Sequence, residues 1–250
     1  MTRKEASGLF TLGLPPERYH LPHPRLGLRV ILLVRRVILR AFELLREEGF
    51  NLAAAKEDQV TTALLNTIEN DLRQTGEVRG FNKHTFESVR RQVQCENFDG
   101  SRLNKTPDVY FKLTDYESSR DAVLSVQDGL FVEAKPVDSE HPVGGRYCDD
   151  GLSRFVRGDY AWAMEEAMML AYARDGRTIA KHLVPAMKEA SRMAALKTKQ
   201  LPTPLTVAGV AATPFAEAIH VSRHRREFPW PHGKGKATPV EVFHVWCSCG

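Results

Sequence analysis

The residues with the most chemical promise lie in two short strand-like segments. Lys105-Thr106-Pro107-Asp108-Val109-Tyr110-Phe111 places an acid behind a proline, at the start of an apolar run. Leu130-Phe131-Val132-Glu133-Ala134-Lys135 ends another apolar run with an acid and a lysine two residues apart. Pro136 is expected to close that strand, because proline cannot donate to a ladder. Side chains alternate along a strand, so Glu133 and Lys135 share one face while Val132 and Ala134 take the other. If the two strands pair, Asp108 and Glu133 converge. Converging carboxylates repel unless a cation holds them, and hard oxygen ligands suit Mg²⁺ or Mn²⁺. A lysine beside such a site orients or deprotonates a water molecule. Together these groups provide metal-assisted hydrolysis of a phosphodiester, with Asp108 and Glu133 as metal ligands. The plainer reading is a strand-end salt bridge between Glu133 and Lys135 beside a Pro-Asp turn.

Pro107-Asp108 and Glu133-x-Lys135, in strands of this character after a helix bearing acids, resemble the PD-(D/E)xK nuclease superfamily, the restriction-endonuclease-like fold. The resemblance covers residues 55 to 175. It implies that an acid from the helix before the sheet completes the site. Glu57 is preferred over Asp58 and Glu69, although acids at a helix start also simply favour the helix dipole. The helix after the Glu-x-Lys strand is expected to pack beside the site. There Arg154, Arg157 and Tyr160 recur at i, i+3 and i+6 and can form a ridge toward a phosphate backbone, or Arg154 and Arg157 can pair with Asp150 and Asp159. The 25 residues from Asp108 to Glu133 are long for a tight hairpin, so the polar stretch from Thr114 to Arg120 should protrude. The resemblance implies a Mg²⁺- or Mn²⁺-dependent deoxyribonuclease, with RNA not excluded and defence against phage DNA as its context. It leaves room for a homodimer or an activating partner protein. The rival is a non-catalytic nucleic-acid-binding or interaction protein that keeps the fold.

The elements that must position these groups follow from the rest of the chain. With 250 residues, 42% hydrophobic and 26% charged, disorder is excluded and one generous domain is expected. Residues 1–25, with Pro15-Pro16, Pro22 and Pro24, read as an irregular arm, and residues 26–250 as a single domain. Helices are expected at 26–48, with Gly49 as a stop, and at 55–74. Strands are expected at 88–94, 109–113 and 130–135, then a loop over 141–151. The Ala- and Met-rich segment 152–174 and the segment 178–197 read as helices, and 205–211, 216–222 and 240–246 as late strands. The fold class is therefore α/β, a mixed central sheet flanked by helices.

Charge is uneven although the net is only +4. Residues 128–175 carry ten acidic and five basic side chains, whereas 177–199 carry six basic and one acidic. Arg223, Arg225 and Arg226, followed by Trp230, Lys234 and Lys236, read as a basic, aromatic-interleaved segment for binding DNA backbone. Four scattered cysteines are no disulfide framework and suit a reducing cytoplasm. Cys247 and Cys249, with nearby histidines, lack the C-x-x-C pairing of a zinc site, so a free C-terminal tail is expected. The apolar run Leu28–Leu45 carries four arginines, too costly for a membrane span. No phosphate-binding glycine loop, G-x-S-x-G or H-E-x-x-H is present.

Overall fold

The computed structural model describes residues 21–114, 128–208 and 211–250. The expected arm therefore lies largely outside the described residues, as does nearly all of the expected protrusion after Thr114. Helix α1 (Gly27–Glu47) ends at Gly49, whose φ of +76° is open to glycine at no steric cost. Of its arginines, Arg35 is buried, with its guanidinium on the Ala211 and Glu217 carbonyls. Helix α2 (Glu57–Asn66) continues through a π-helical turn (Thr67–Leu72) into α3 (Arg73–Thr75) and stops at left-handed Gly76. Val60, Leu64, Leu65 and Ile68 stand at helical spacing in the sequence and form an apolar stripe, of which Leu65 is half-buried and the other three are buried.

Seven strands form one mixed sheet: β1 (Phe86–Arg91), β2 (Val109–Leu113), β3 (Gly129–Val137), β4 (Glu166–Ala173), β5 (Thr198–Pro204), β6 (His220–His224) and β7 (Val240–Ser248). Their order is β1-β2-β3-β4-β7-β6-β5, with β3-β4 and β4-β7 parallel and the other pairs antiparallel. Register places Glu133, Met169 and His244 in one row and Lys135, Ala171 and Trp246 in the next, all on one face. The π-helical segment Val143–Leu152 covers that face, with Tyr147 against both His244 and Trp246. Pro136, Tyr172 and Cys247 belong to the opposite face, where α1 and α2 pack through Phe42 and Thr61.

Several elements differ from expectation, each for a tertiary reason. Residues 152–174 are not one helix: a short α4 (Ser153–Arg157) ends at left-handed Gly158, and Glu166–Ala173 is the central parallel strand. Ala and Met favour helix in isolation, but a continuous apolar run buried on both faces belongs in a parallel sheet. Pro136 does not close β3, which runs on to Val137. β2 pairs only as far as Val132, and the Ala134 N–H points to that open edge, so Pro136, two residues on, lacks its N–H where no ladder exists. The C-terminus is no free tail, since β7 lies between β4 and β6 and buries Cys247 and Cys249. The second late helix breaks at Glu189 into α5 (Val184–Lys188) and α6 (Ala190–Ala195), and the next strand is Thr198–Pro204 rather than 205–211. Among the described residues, no helix is long and apolar enough to cross a membrane.

Candidate active site

The site is the fork where β2 and β3 part. The antiparallel register Val109↔Val132, carried one step further, sets Asp108 opposite Glu133. There the ladder gives way to side chains: the Ala134 N–H donates to Asp108 Oδ2 at 2.8 Å. Pro107 cannot donate, which favours a strand beginning at this point. Lys135 rises from the face under the π-helical segment and turns around the open edge. Its Nζ reaches Asp108 Oδ2 at 3.0 Å, Glu133 Oε1 at 2.9 Å and the Ala134 carbonyl at 2.8 Å. From the helix on the opposite face, Glu57 reaches the same Nζ at 2.8 Å through Oε1. Gly151 leaves the room for this lysine, because a Cβ there would stand 3.4 Å from Lys135 Cγ and 2.8 Å from Met169 Cε.

Glu133 is fully buried. Its Oε2 accepts a hydrogen bond from the buried Tyr160 hydroxyl. Its Oε1 lies 2.9 Å from both Lys135 Nζ and Arg154 Nη1, yet neither N–H is aimed well enough to make a hydrogen bond. Burial, and then the neighbouring Asp108 carboxylate, push Glu133 up to about 7 against the pull of Lys135, Arg154 and Tyr160. Burial opposes the Lys135 charge, but Glu133, Asp108 and Glu57 together outweigh it and hold the ammonium above the usual lysine range. Burial likewise raises the Tyr160 phenol, so it remains a donor to Glu133.

The expected repulsion between Asp108 and Glu133 is thus relieved by an ammonium. The donor set suits a hard divalent cation: oxygens of Glu57, Asp108 and Glu133 and the Ala134 carbonyl surround one point, and Glu133 Oε1 has no hydrogen-bond donor. The spacing is set for nitrogen, at 2.8 to 3.0 Å, whereas Mg²⁺ demands about 2.0–2.1 Å. Accordingly, no three His, Cys, Asp or Glu among the described residues stand at metal-ligand spacing in this arrangement.

The other acids of the helix turn elsewhere. Asp58 is exposed and pairs with Arg91, and Glu69 accepts from the Val89 N–H at 2.7 Å and pairs with Arg73. Two residues expected to face DNA instead serve the carboxylates. Tyr160 is buried on Glu133, and Arg154 points at Glu133 rather than at Asp150. Arg157 is exposed and pairs with Asp159, as one alternative held. Arg223 and Arg225 are exposed on or beside β6, three strand spacings, about 14 Å, from β3. Arg226 is buried and cannot meet DNA, since its guanidinium is engaged by the carbonyls of Trp162, Met164 and Thr238. Sequence reading missed these tyrosine and arginine roles, because only the sheet register brings residues 154–160 over Glu133.

It also missed a buried chain behind the site. His224 Nδ1 faces the Leu196 carbonyl at 2.9 Å, an acceptor only, so this nitrogen carries the proton. Neutral His224 then accepts at Nε2 from Ser222, Ser222 accepts from His244 Nε2, and Tyr147 donates to His244 Nδ1. One tautomer assignment satisfies every member. No protein-family model, curated protein or solved structure matches this chain.

Proposed function

We propose that this chain is a metal-dependent nuclease of the PD-(D/E)xK type, cutting phosphodiester bonds of DNA with Mg²⁺ or Mn²⁺. The strands β1–β4 with α2 would be its restriction-endonuclease-like core. One observation carries the reading: Glu57, Asp108 and Glu133, from a helix and two strands, meet around Lys135 at the end of a sheet. A lone strand-end salt bridge needs one carboxylate per lysine, whereas three at one ammonium, one of them fully buried, is a costly arrangement to keep for stability alone.

Glu57, Asp108, Glu133 and the Ala134 carbonyl would hold the cation, which supplies charge for the transition state and acidifies a bound water. Tyr160 holds the Glu133 carboxylate by donating to Oε2, and the Arg154 guanidinium stands beside Oε1. Lys135, held protonated by its neighbours, is suited to orient the attacking water or to donate to a phosphate oxygen, and not to take the proton.

The test is cleavage of plasmid DNA and of a labelled RNA in Mg²⁺ and in Mn²⁺. Wild-type protein should cut DNA, and Asp108→Ala and Glu133→Ala should lose at least about 100-fold in rate while keeping a folded circular-dichroism spectrum. Cleavage at the wild-type rate by either variant rejects this site. Binding of DNA without cleavage in any metal would favour the non-catalytic reading.

A further inference from the structure

A second cluster of charge stands next to the fork and has no part in holding a metal. Asp159 is buried, 3% exposed, yet three cations surround it. Arg157 donates to Oδ2 at 3.1 Å, Lys105 Nζ lies 3.6 Å from the same oxygen, and Arg102 Nη1 lies 3.6 Å from Oδ1. At 3.6 Å neither of the latter two makes a hydrogen bond, so the side-chain donors of Arg102 and Lys105 are unspent among the described residues. Arg102 and Arg157 are more than half exposed. One buried acid therefore holds three cations together, with a net charge of +2, in a part of the chain that is otherwise acidic.

The backbones that carry these cations are pinned. Cys95 and Lys105 exchange both hydrogen bonds of a two-residue bridge, at 2.7 and 3.1 Å. Asn97, itself buried, accepts the Arg102 N–H through its side chain and donates its own N–H to the Arg102 carbonyl. The Phe98 N–H donates to the carbonyl of left-handed Gly158, and the Asp159 N–H to that of Arg154. The same turn carries Arg154 and Tyr160 to Glu133. On the other side, Lys105 precedes Asp108 by three residues, so their Cα atoms are at most about 11 Å apart. That reach spans about three nucleotides of one strand at roughly 3.4 Å rise.

We infer that Arg102, Lys105 and Arg157, gathered by Asp159, are a preorganised anchor for the phosphate backbone of a nucleic acid beside the fork. The inference rests on the nuclease reading for its choice of polyanion. Asp159 is a positioning residue, and the three cations would touch phosphates flanking the bond that Asp108 and Glu133 serve, Lys105 within about three nucleotides of it. Contacts to phosphate oxygens carry no sequence information, so the anchor's contribution is independent of sequence.

The experiment measures binding of a fluorescent 30-base-pair DNA duplex by the full chain in EDTA, where nothing is cut, across a salt series. Arg102→Gln/Arg157→Gln keeps Lys105 beside Asp159, so the buried acid is not stranded. It should lower the slope of log affinity against log salt by about 1.8, since each phosphate left without its cation removes about 0.9. Lys181→Gln/Lys188→Gln removes the same charge from an exposed region and should leave the slope unchanged. Asp159→Asn should weaken binding despite adding positive charge, an outcome that a role in bulk attraction alone would reverse. A wild-type slope in Arg102→Gln/Arg157→Gln overturns the anchor, and if the wild type also cuts DNA the nuclease reading survives that loss. Binding with the expected slope change but no cleavage in Mg²⁺ or Mn²⁺ retains the anchor and rejects the nuclease. No duplex binding at any salt rejects the anchor, and cleavage in Mg²⁺ or Mn²⁺ then decides the nuclease reading separately.

Discussion

Replacing Lys135 with Met keeps the length of the side chain and removes the one cation shared by Glu57, Asp108 and Glu133. Each of the three ion pairs, at 2.8 to 3.0 Å, is worth about 6 kcal/mol of Coulomb attraction at an effective dielectric of about 20. The cost of burying the ammonium offsets most of that sum. Removing one partner from a buried ionic group typically costs about 3–5 kcal/mol, because the remaining charge stays buried and uncompensated. For a chain of this size each kcal/mol moves the midpoint by roughly 2–4 °C, so in EDTA Lys135→Met should melt roughly 6–20 °C below wild type. Mn²⁺ should then rescue it, since the cation enters an oxygen cluster that no ammonium occupies. At about 100 times Kd the gain is about 2.7 kcal/mol. In the wild type the same ion must first displace Lys135, so its midpoint should rise less. Thermal unfolding by circular dichroism, in EDTA and through a Mn²⁺ titration, reads both quantities. An EDTA midpoint within about 2 °C of wild type, or an equal Mn²⁺ shift in the two proteins, refutes the shared-cation reasoning.

Two further predictions concern buried groups outside the fork. Burial pulls folded His224 down to about 4, against about 6.5 in the unfolded chain, so the unfolded state binds the extra proton between those values and stability falls as pH drops through that window. At pH 5 this costs about 2 kcal/mol relative to pH 7, and urea unfolding should show a shallower loss in His224→Gln; equal losses would remove His224 from the acid response. Arg226→Met leaves buried carbonyls of Trp162, Met164 and Thr238 without donors and should cost at least about 3 kcal/mol by urea unfolding, while the salt slope of DNA binding stays at the wild-type value. A slope lower by about 1 would return Arg226 to the DNA path.

Much of the fork was legible in the linear chain. The two-residue spacing of Glu133 and Lys135 fixes their shared face, and the proline before Asp108 marks where a strand begins. The stop at Gly49 and the stripe Val60, Leu64, Leu65 and Ile68 put α1 and α2 nearly in place, because caps and periodicity are local. The segment Glu166–Ala173 was not legible. A run such as Ala-Met-Met-Leu-Ala-Tyr-Ala has neither a two-residue nor a 3.6-residue period when both faces are buried, so propensity alone speaks, and it speaks for helix. The mistaken helix carried its consequence with it, setting Arg154 and Tyr160 on one ridge toward a phosphate backbone.

The sequence by itself determined which residue types are available to the site and which neighbours along the chain share a face: Asp108 at a strand start, Glu133 and Lys135 side by side, Glu57 near a helix start. Only the tertiary structure decided that all four meet, because that depends on β2 leaving β3 at Val132 and on a helix from the opposite face reaching around the open edge. It also decided which charges are already engaged. Arg226 and Arg223 read alike in the chain, yet one is enclosed by carbonyls and the other faces water. The physical reason is that the cost of burying a charge, and the partners that offset it, come from residues tens to more than a hundred positions away, and no local pattern records them.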